Sequence, residues 1–407
     1  MKVESAISSQ PSSQERPSPS KPIGLIGIIA GAGIAATGLT GAALSLVGIQ
    51  TTSGIGGIST AFLSQAATIG ALALILGGIL VAEGLRLRRG VPPAPFRTQR
   101  LWLLWAVFLT LWVTGTVLSF LDGIPSYLTV PVHALTLMLL PLLILSVVGW
   151  TLQGRGGSWS DVGNGLISGA VLGTSMAAAA EITLLALVAF LLLATGAFPQ
   201  EWLQQAPQAL ISGESPLPAE IDTLLELLNP TIVLIGLAFI GGAVPLIEEV
   251  TKTLGVGLAG LWLRPSPARA FLLGVASGAG FALAENALNV AYGPAWGVGI
   301  GVRLAATVMH CATGGLMGWG WGQWWAGRRP WRLPLAFITA VAIHGLWNTI
   351  AVGMALSGLT TLARADQPVW VALGGLLTLA LGTLEVLLAV AVTAALLWTG
   401  YRLGRGE

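Results

Sequence analysis

Residues 231–262 read TIVLIGLAFIGGAVPLIEEVTKTLGVGLAGLW. Apart from Glu248, Glu249 and Lys252 the stretch is almost wholly apolar, and it is longer than the roughly 20 residues that a bilayer-spanning helix needs. Charge in hydrocarbon is costly, so ionisable residues inside a span are rare and usually functional. On a helix, Glu248 and Lys252 lie one turn apart and Glu249 sits three residues before Lys252, which gathers all three on one side. Lipid rejects such a side, and only other helices can cover it. The stretch therefore specifies one member of a helical membrane bundle with a polar interior. Gly241, Gly242 and Pro245 predict a break in this helix just before its charges.

The rest of the chain has the same character. Its 407 residues are 54% hydrophobic and only 9% charged, with a mean hydropathy of +0.82, whereas soluble domains carry about 25% charged residues. The fold class is all-α, a polytopic transmembrane helical bundle, because lipid leaves the backbone few other ways to satisfy its hydrogen bonds. Hydropathy predicts ten spans, near 23–49, 58–83, 101–120, 126–150, 164–196, 231–262, 268–290, 296–325, 334–357 and 369–400. Residues 1–22, rich in Ser, Pro, Gln and charge, read as a disordered cytoplasmic tail and not as a cleaved signal peptide. Helices 1–5 then fill 23–196. An acidic extracytoplasmic loop with the amphipathic stretch AEIDTLLELL occupies 197–230, helices 6–9 form a core over 231–357, and helix 10 with a short tail completes 358–407.

With the N-terminus inside, the cytoplasmic segments hold all the Lys and Arg residues except Arg364 outside and Lys252 and Arg303 within spans. This asymmetry predicts that both termini are cytoplasmic. Trp319, Trp321, Trp324, Trp325 and Trp331, beside Arg328, Arg329 and Arg332, read as an interfacial belt. Cys311 is the only cysteine, which excludes disulfides within the chain and four-thiolate metal sites.

Three further helices carry polar stripes. In GFALAENALNV, Phe281 and Glu285 are four residues apart, with Asn286 and Asn289 continuing the polar face. In GVRLAATVMHCATGG, Arg303 and His310 are two turns apart, and in VAIHGLWNTI, His344 and Asn348 are one turn apart. At about 1.5 Å of rise per residue, both histidines reach the middle third of the bilayer, while Glu285 and Arg303 meet in its outer third. Burial and neighbouring charge can tune a carboxylate to take a proton from water and pass it to a leaving amine. An imidazole with an Asn amide can then donate to a tetrahedral oxyanion. Glu248, Glu249, Glu285, His310, His344 and Asn348 are the candidate catalytic residues, supported by Lys252, Asn286 and Arg303.

These residues resemble the PrsW family of intramembrane proteases and, more distantly, the CAAX prenyl endopeptidases and bacteriocin-processing enzymes. The match consists of Glu248-Glu249-x-x-Lys252, Phe281-x-x-x-Glu285-Asn286, Arg303 before His310, and His344-x-x-x-Asn348, in that order over residues 231–357. The CAAX pattern has His where this chain has Glu285 and Arg where it has Lys252; the PrsW-type version accommodates both. The resemblance implies proteolysis of protein substrates embedded in or tethered to a lipid bilayer, such as an anti-sigma factor's extracytoplasmic segment, in a prokaryotic plasma membrane. No nucleic-acid partner is expected. Relatives have been described both as metal-dependent and as glutamate-dependent. A glutamate-activated water without a permanent ion is favoured here, because Lys252 and Arg303 add positive charge and no two histidines share a helix at i,i+4. Zinc accepts both ligand types, and Glu285, His310 and His344 are its candidate ligands.

The other polar residues have blander readings. Glu181 and Glu385 are expected to be protonated, hydrogen-bonded structural groups, His133 an interfacial residue and Cys311 a small core residue. Gly314, Gly318 and Gly322 are spaced for close helix packing. No HExxH, nucleotide-binding loop or GxSxG element is present. A proton-coupled carrier could use the same carboxylates, but the two halves of the chain show no matching charge pattern. A non-catalytic scaffold is the third alternative, and the intact glutamate pair argues against it.

Overall fold

The computed structural model describes residues 21–51, 60–98, 100–121, 124, 126–194, 230–288, 296–327 and 329–406. Residues 1–20 and 197–229, which include most of the expected tail and the amphipathic stretch, lie outside the described residues, as do Asn289 and Arg328. Twelve described α-helices make ten spans of membrane length and composition. They are α1 (Lys21–Thr51), α2 (Thr60–Arg88), α3 (Leu101–Ser119), α4 (Ser126–Leu152), α5 (Trp159–Ile167), α6 (Thr174–Ala194), α7 (Pro230–Ala238), α8 (Val244–Leu263), α9 (Pro267–Leu288), α10 (Trp296–Trp325), α11 (Arg332–Ala363) and α12 (Pro368–Arg405).

Two spans are single helices with a widened turn. A π-helical segment, Ser168–Gly173, joins α5 to α6, and another, Phe239–Ala243, joins α7 to α8. The expected break at Gly241, Gly242 and Pro245 is therefore a π turn and not an interruption. In a regular α-helix the Pro245 ring would press on the carbonyl four residues earlier, and the wider turn accommodates it.

The helix α9 is the axis of the bundle, with nearly every residue from Ala270 to Ala287 buried. Its small residues allow neighbours on opposite sides to approach its backbone. It packs against α10 on one side and against α5 and the first π segment on the other, and it also touches α4 and α8. A methyl group on Gly278 would collide with the His310 carbonyl, and one on Gly274 with the Gly314 carbonyl. The glycine row on α10 thus packs closely, as its spacing predicts.

Two expectations need correction. His133 is buried, stacked on Trp296 at 3.9 Å between centroids, and its Nε2 lies 3.2 Å from the Gly115 carbonyl oxygen. The tryptophan belt is divided: Trp324 and Trp331 are exposed, but Trp321 and Trp325 stack on each other and cover Gly257 and Gly260 of α8. Cys311 is a buried core residue as expected.

Candidate active site

Four helices, α8, α9, α10 and α11, bring the polar stripes together. On α8, Glu249 Oε1 lies 2.7 Å from Lys252 Nζ, and both side chains are fully buried. The same oxygen accepts from Nδ1 of His344 on α11 at 2.8 Å. Lys252 Nζ also reaches Nδ1 of His310 on α10 at 3.0 Å, and sits 5.1 Å from the centre of the Phe281 ring. Nε2 of His310 lies 2.7 Å from Glu285 Oε2, and Arg303 holds the same oxygen at 3.1 Å and Oε1 at 3.2 Å. The two histidine rings meet edge to face with centroids 5.0 Å apart. Glu248, Glu249, Lys252, Glu285, Arg303, His310 and His344 thus form one cluster. The Glu285–Arg303 pair is the ion pair their depths predict.

Proton positions follow from donor chemistry. The Lys252 ammonium has donors only, so Nδ1 of His310 accepts, and the neutral ring keeps its proton on Nε2, 2.7 Å from Glu285 Oε2. Glu249 accepts from His344 Nδ1–H, which leaves the Nε2 lone pair of His344 facing Glu248 Oε2 at 3.6 Å. That separation is too long for a direct hydrogen bond. Glu248 Oε2 is buried and has no hydrogen-bond partner among the described residues.

Asn286 and Asn348 lie at the edges of the cluster. Asn286 Oδ1 accepts from Arg303 Nε at 2.7 Å, which fixes the guanidinium for Glu285. Asn348 donates to the Ile240 carbonyl at 3.0 Å, within the second π segment. Three supporting groups escaped the sequence reading. Thr313 lies 3.5 Å from Lys252 Nζ, Thr307 accepts from Asn286 at 3.2 Å, and the Ser277 hydroxyl donates to the Lys252 carbonyl. Thr313 follows His310 by three residues, so its place on the same face was readable. Glu181 and Glu385 each carry a buried Oε1 with no hydrogen-bond partner among the described residues, unlike the hydrogen-bonded groups expected.

One atom each from Glu248, His310 and His344 lies within 4.8 Å of the others, close enough to share a metal ion. The carboxylate in this group is Glu248 and not the expected Glu285, which His310 and Arg303 already engage. Glu248 Oε2 and His344 Nε2 both present lone pairs, so two donors fit an ion. His310 does not fit while Lys252 occupies Nδ1 and the proton sits on Nε2. In this arrangement Glu248 and His344 offer free donors, and His310 would have to give up its contact with Lys252 or its Nε2 proton to join them.

Among the described residues, ten apolar spans around a buried carboxylate, imidazole and ammonium cluster define the class: an integral multi-pass membrane protein with ionisable side chains gathered inside its bundle. A family model described as PrsW family intramembrane metalloprotease matches residues 165–379, more than half of the chain. The chain belongs to this family and is an intramembrane protease. No curated protein and no solved structure matches it. The matched region begins before α6, so the family likeness reaches beyond the 231–357 core expected from the motifs.

Proposed function

We propose that the protein hydrolyses peptide bonds of membrane-embedded or membrane-tethered substrates with a water activated by Glu248. The observation that carries this reading is the pair of lone pairs, on Glu248 Oε2 and His344 Nε2, facing each other at 3.6 Å inside the bundle. A water admitted with the substrate beside this pair donates to both atoms and is oriented by them. Glu248 takes its proton as the water oxygen attacks the scissile carbonyl, and passes the proton to the nitrogen as the C–N bond breaks. Glu249 keeps the His344 ring fixed through Nδ1, and Lys252 balances Glu249. Asn348 uses one N–H on the Ile240 carbonyl and has a second to donate to the oxyanion. Glu285, Arg303 and Asn286 hold His310 and the neighbouring charge in place.

Orientation with both termini in the cytoplasm, in a prokaryotic plasma membrane, belongs to the same proposal. An anti-sigma-factor-type protein is a candidate substrate. The test uses purified protein in liposomes with a membrane-tethered reporter. Wild type is expected to cleave it, Glu248→Ala to lose cleavage, and a chelator to leave the rate unchanged. Cleavage that a chelator abolishes and added zinc restores overturns the metal-free mechanism, and cleavage undiminished in Glu248→Ala overturns the role of Glu248.

A further inference from the structure

Pro245 creates a need that a neighbouring helix meets. In the second π segment the Val244 N–H donates to the Phe239 carbonyl, five residues back. By the same i→i+5 pattern the Ile240 carbonyl is due the N–H of residue 245. Residue 245 is proline and has none. Ile240 lies ten residues beyond Pro230, where the described part of the span begins. That is about 15 Å, a mid-bilayer depth at which no water takes the place of a donor. The missing donor comes from α11, where Asn348 Nδ2 donates to this carbonyl at 3.0 Å. Around that bond the two helices meet closely. A methyl group on Gly345 would strike the Gly241 carbonyl, and one on Gly241 would strike Thr349 Oγ1. One turn along α11 from Asn348 stands His344, which donates to Glu249 at 2.8 Å and faces Glu248 at 3.6 Å.

We infer that Asn348 is a positioning residue for Glu248: it supplies the donor that Pro245 withholds from the Ile240 carbonyl, and so pins the wide turn that directs Glu248 toward His344. This second task of Asn348, apart from the oxyanion, rests on the protease reading above. The place of a wide turn along a helix sets which face the residues beside it present, and Glu248 follows Ile240 by eight residues. Were the turn to slide past Glu248, that carboxylate would no longer face α11. An unpaired carbonyl in lipid is costly enough to drive such a shift, and Asn348 removes the cause. Because His344 and Asn348 share one face of α11, a single helix both fixes the turn and offers Glu248 its partner.

The test is a double-mutant cycle, with unfolding followed in detergent and cleavage of a tethered reporter followed in liposomes. Asn348→Leu removes the donor, and Pro245→Ala restores an N–H within reach of the Ile240 carbonyl. In the wild-type background Asn348→Leu is expected to shift the unfolding equilibrium by about tenfold, the scale of one buried acceptor left unpaired. There kcat should fall about tenfold further than the roughly 10²-fold that loss of an oxyanion donor costs, with KM unchanged. In the Pro245→Ala background the same substitution should leave unfolding unchanged and cost only the oxyanion share of kcat. Asn348→Ala, which adds no bulk, repeats the cycle, so that a misfit of leucine does not decide it. An equal effect on unfolding in both backgrounds overturns the link between Asn348 and Pro245. Rescued unfolding with an equal loss of kcat in both backgrounds overturns the positioning of Glu248 and leaves Asn348 to the oxyanion. Should wild type cleave no reporter, the protease reading falls by itself, while the unfolding cycle still decides whether Asn348 stands in for the missing N–H.

Discussion

The two adjacent glutamates are expected to respond in opposite ways to the same change. Glu249 Oε1 accepts from Lys252 at 2.7 Å and from His344 at 2.8 Å, with Lys252 and Glu249 both sealed from solvent. Glu249→Gln keeps an acceptor oxygen but removes the charge, leaving Lys252 as a buried cation. Breaking a buried pair costs about 3–5 kcal/mol, and the retained acceptor places this variant near the lower end, about 3 kcal/mol. That is on the order of a 100-fold shift in the unfolding equilibrium. Glu248→Gln should differ, because Glu248 Oε2 has no hydrogen-bond partner to lose among the described residues. Its stability should match wild type, while cleavage falls by about 10²–10⁴-fold, the usual cost of losing a general base. Unfolding in detergent, followed by tryptophan fluorescence, and cleavage of a tethered reporter together separate the two variants. Wild-type stability in Glu249→Gln would refute the Lys252 pairing, and undiminished cleavage by Glu248→Gln would remove Glu248 from the chemistry.

Gly278→Leu drives a side chain into the His310 carbonyl, so α10 must move away from α9. Overpacking of about 1–3 kcal/mol and a displaced His310 should lower both thermal stability and cleavage. Gly78→Leu, which meets open space, should change neither in the same assays. For topology, a reporter fused after Arg329 should behave as cytoplasmic and one at Gly213 as extracytoplasmic, and the reverse pattern would sink the proposed orientation.

The spans were legible because hydrocarbon imposes one solution, and each of the ten predicted stretches overlaps a described helix of membrane length. The cluster was legible for a related reason. Glu248, Glu249, Lys252, Glu285, Arg303, His310 and His344 can leave lipid only by facing one another, so their helical spacing foretold their meeting. What composition could not show was which partner each would take. Glu285 and Glu248 have the same chemistry, and only the packing of α10 puts His310 against the first while α11 brings His344 to the second. Asn348 was expected in the cluster with His344, but its amide is drawn to a carbonyl in a π turn, and a π turn has no composition of its own. His133 looked interfacial from its position near a helix end, whereas the stack with Trp296 depends on a contact 163 residues away in sequence, between α4 and α10.

The widened turn at Phe239–Ala243 has a consequence for how this chain can vary. Such a turn holds one residue more than the ordinary helical repeat, so losing one residue there would re-form a regular spiral without shortening the span appreciably. The loss would leave everything beyond it facing much as before, because five residues of the wide turn sweep about the same angle as four of a regular one. Glu248, Glu249 and Lys252 begin five residues after the turn ends, and a residue lost instead from the regular helix between the turn and Glu248 would swing them by about 100°, off the histidines and toward the acyl chains. A single codon deleted within the turn would thus spare the cluster, whereas one deleted just after it would scatter the cluster while leaving every one of its residues in the sequence.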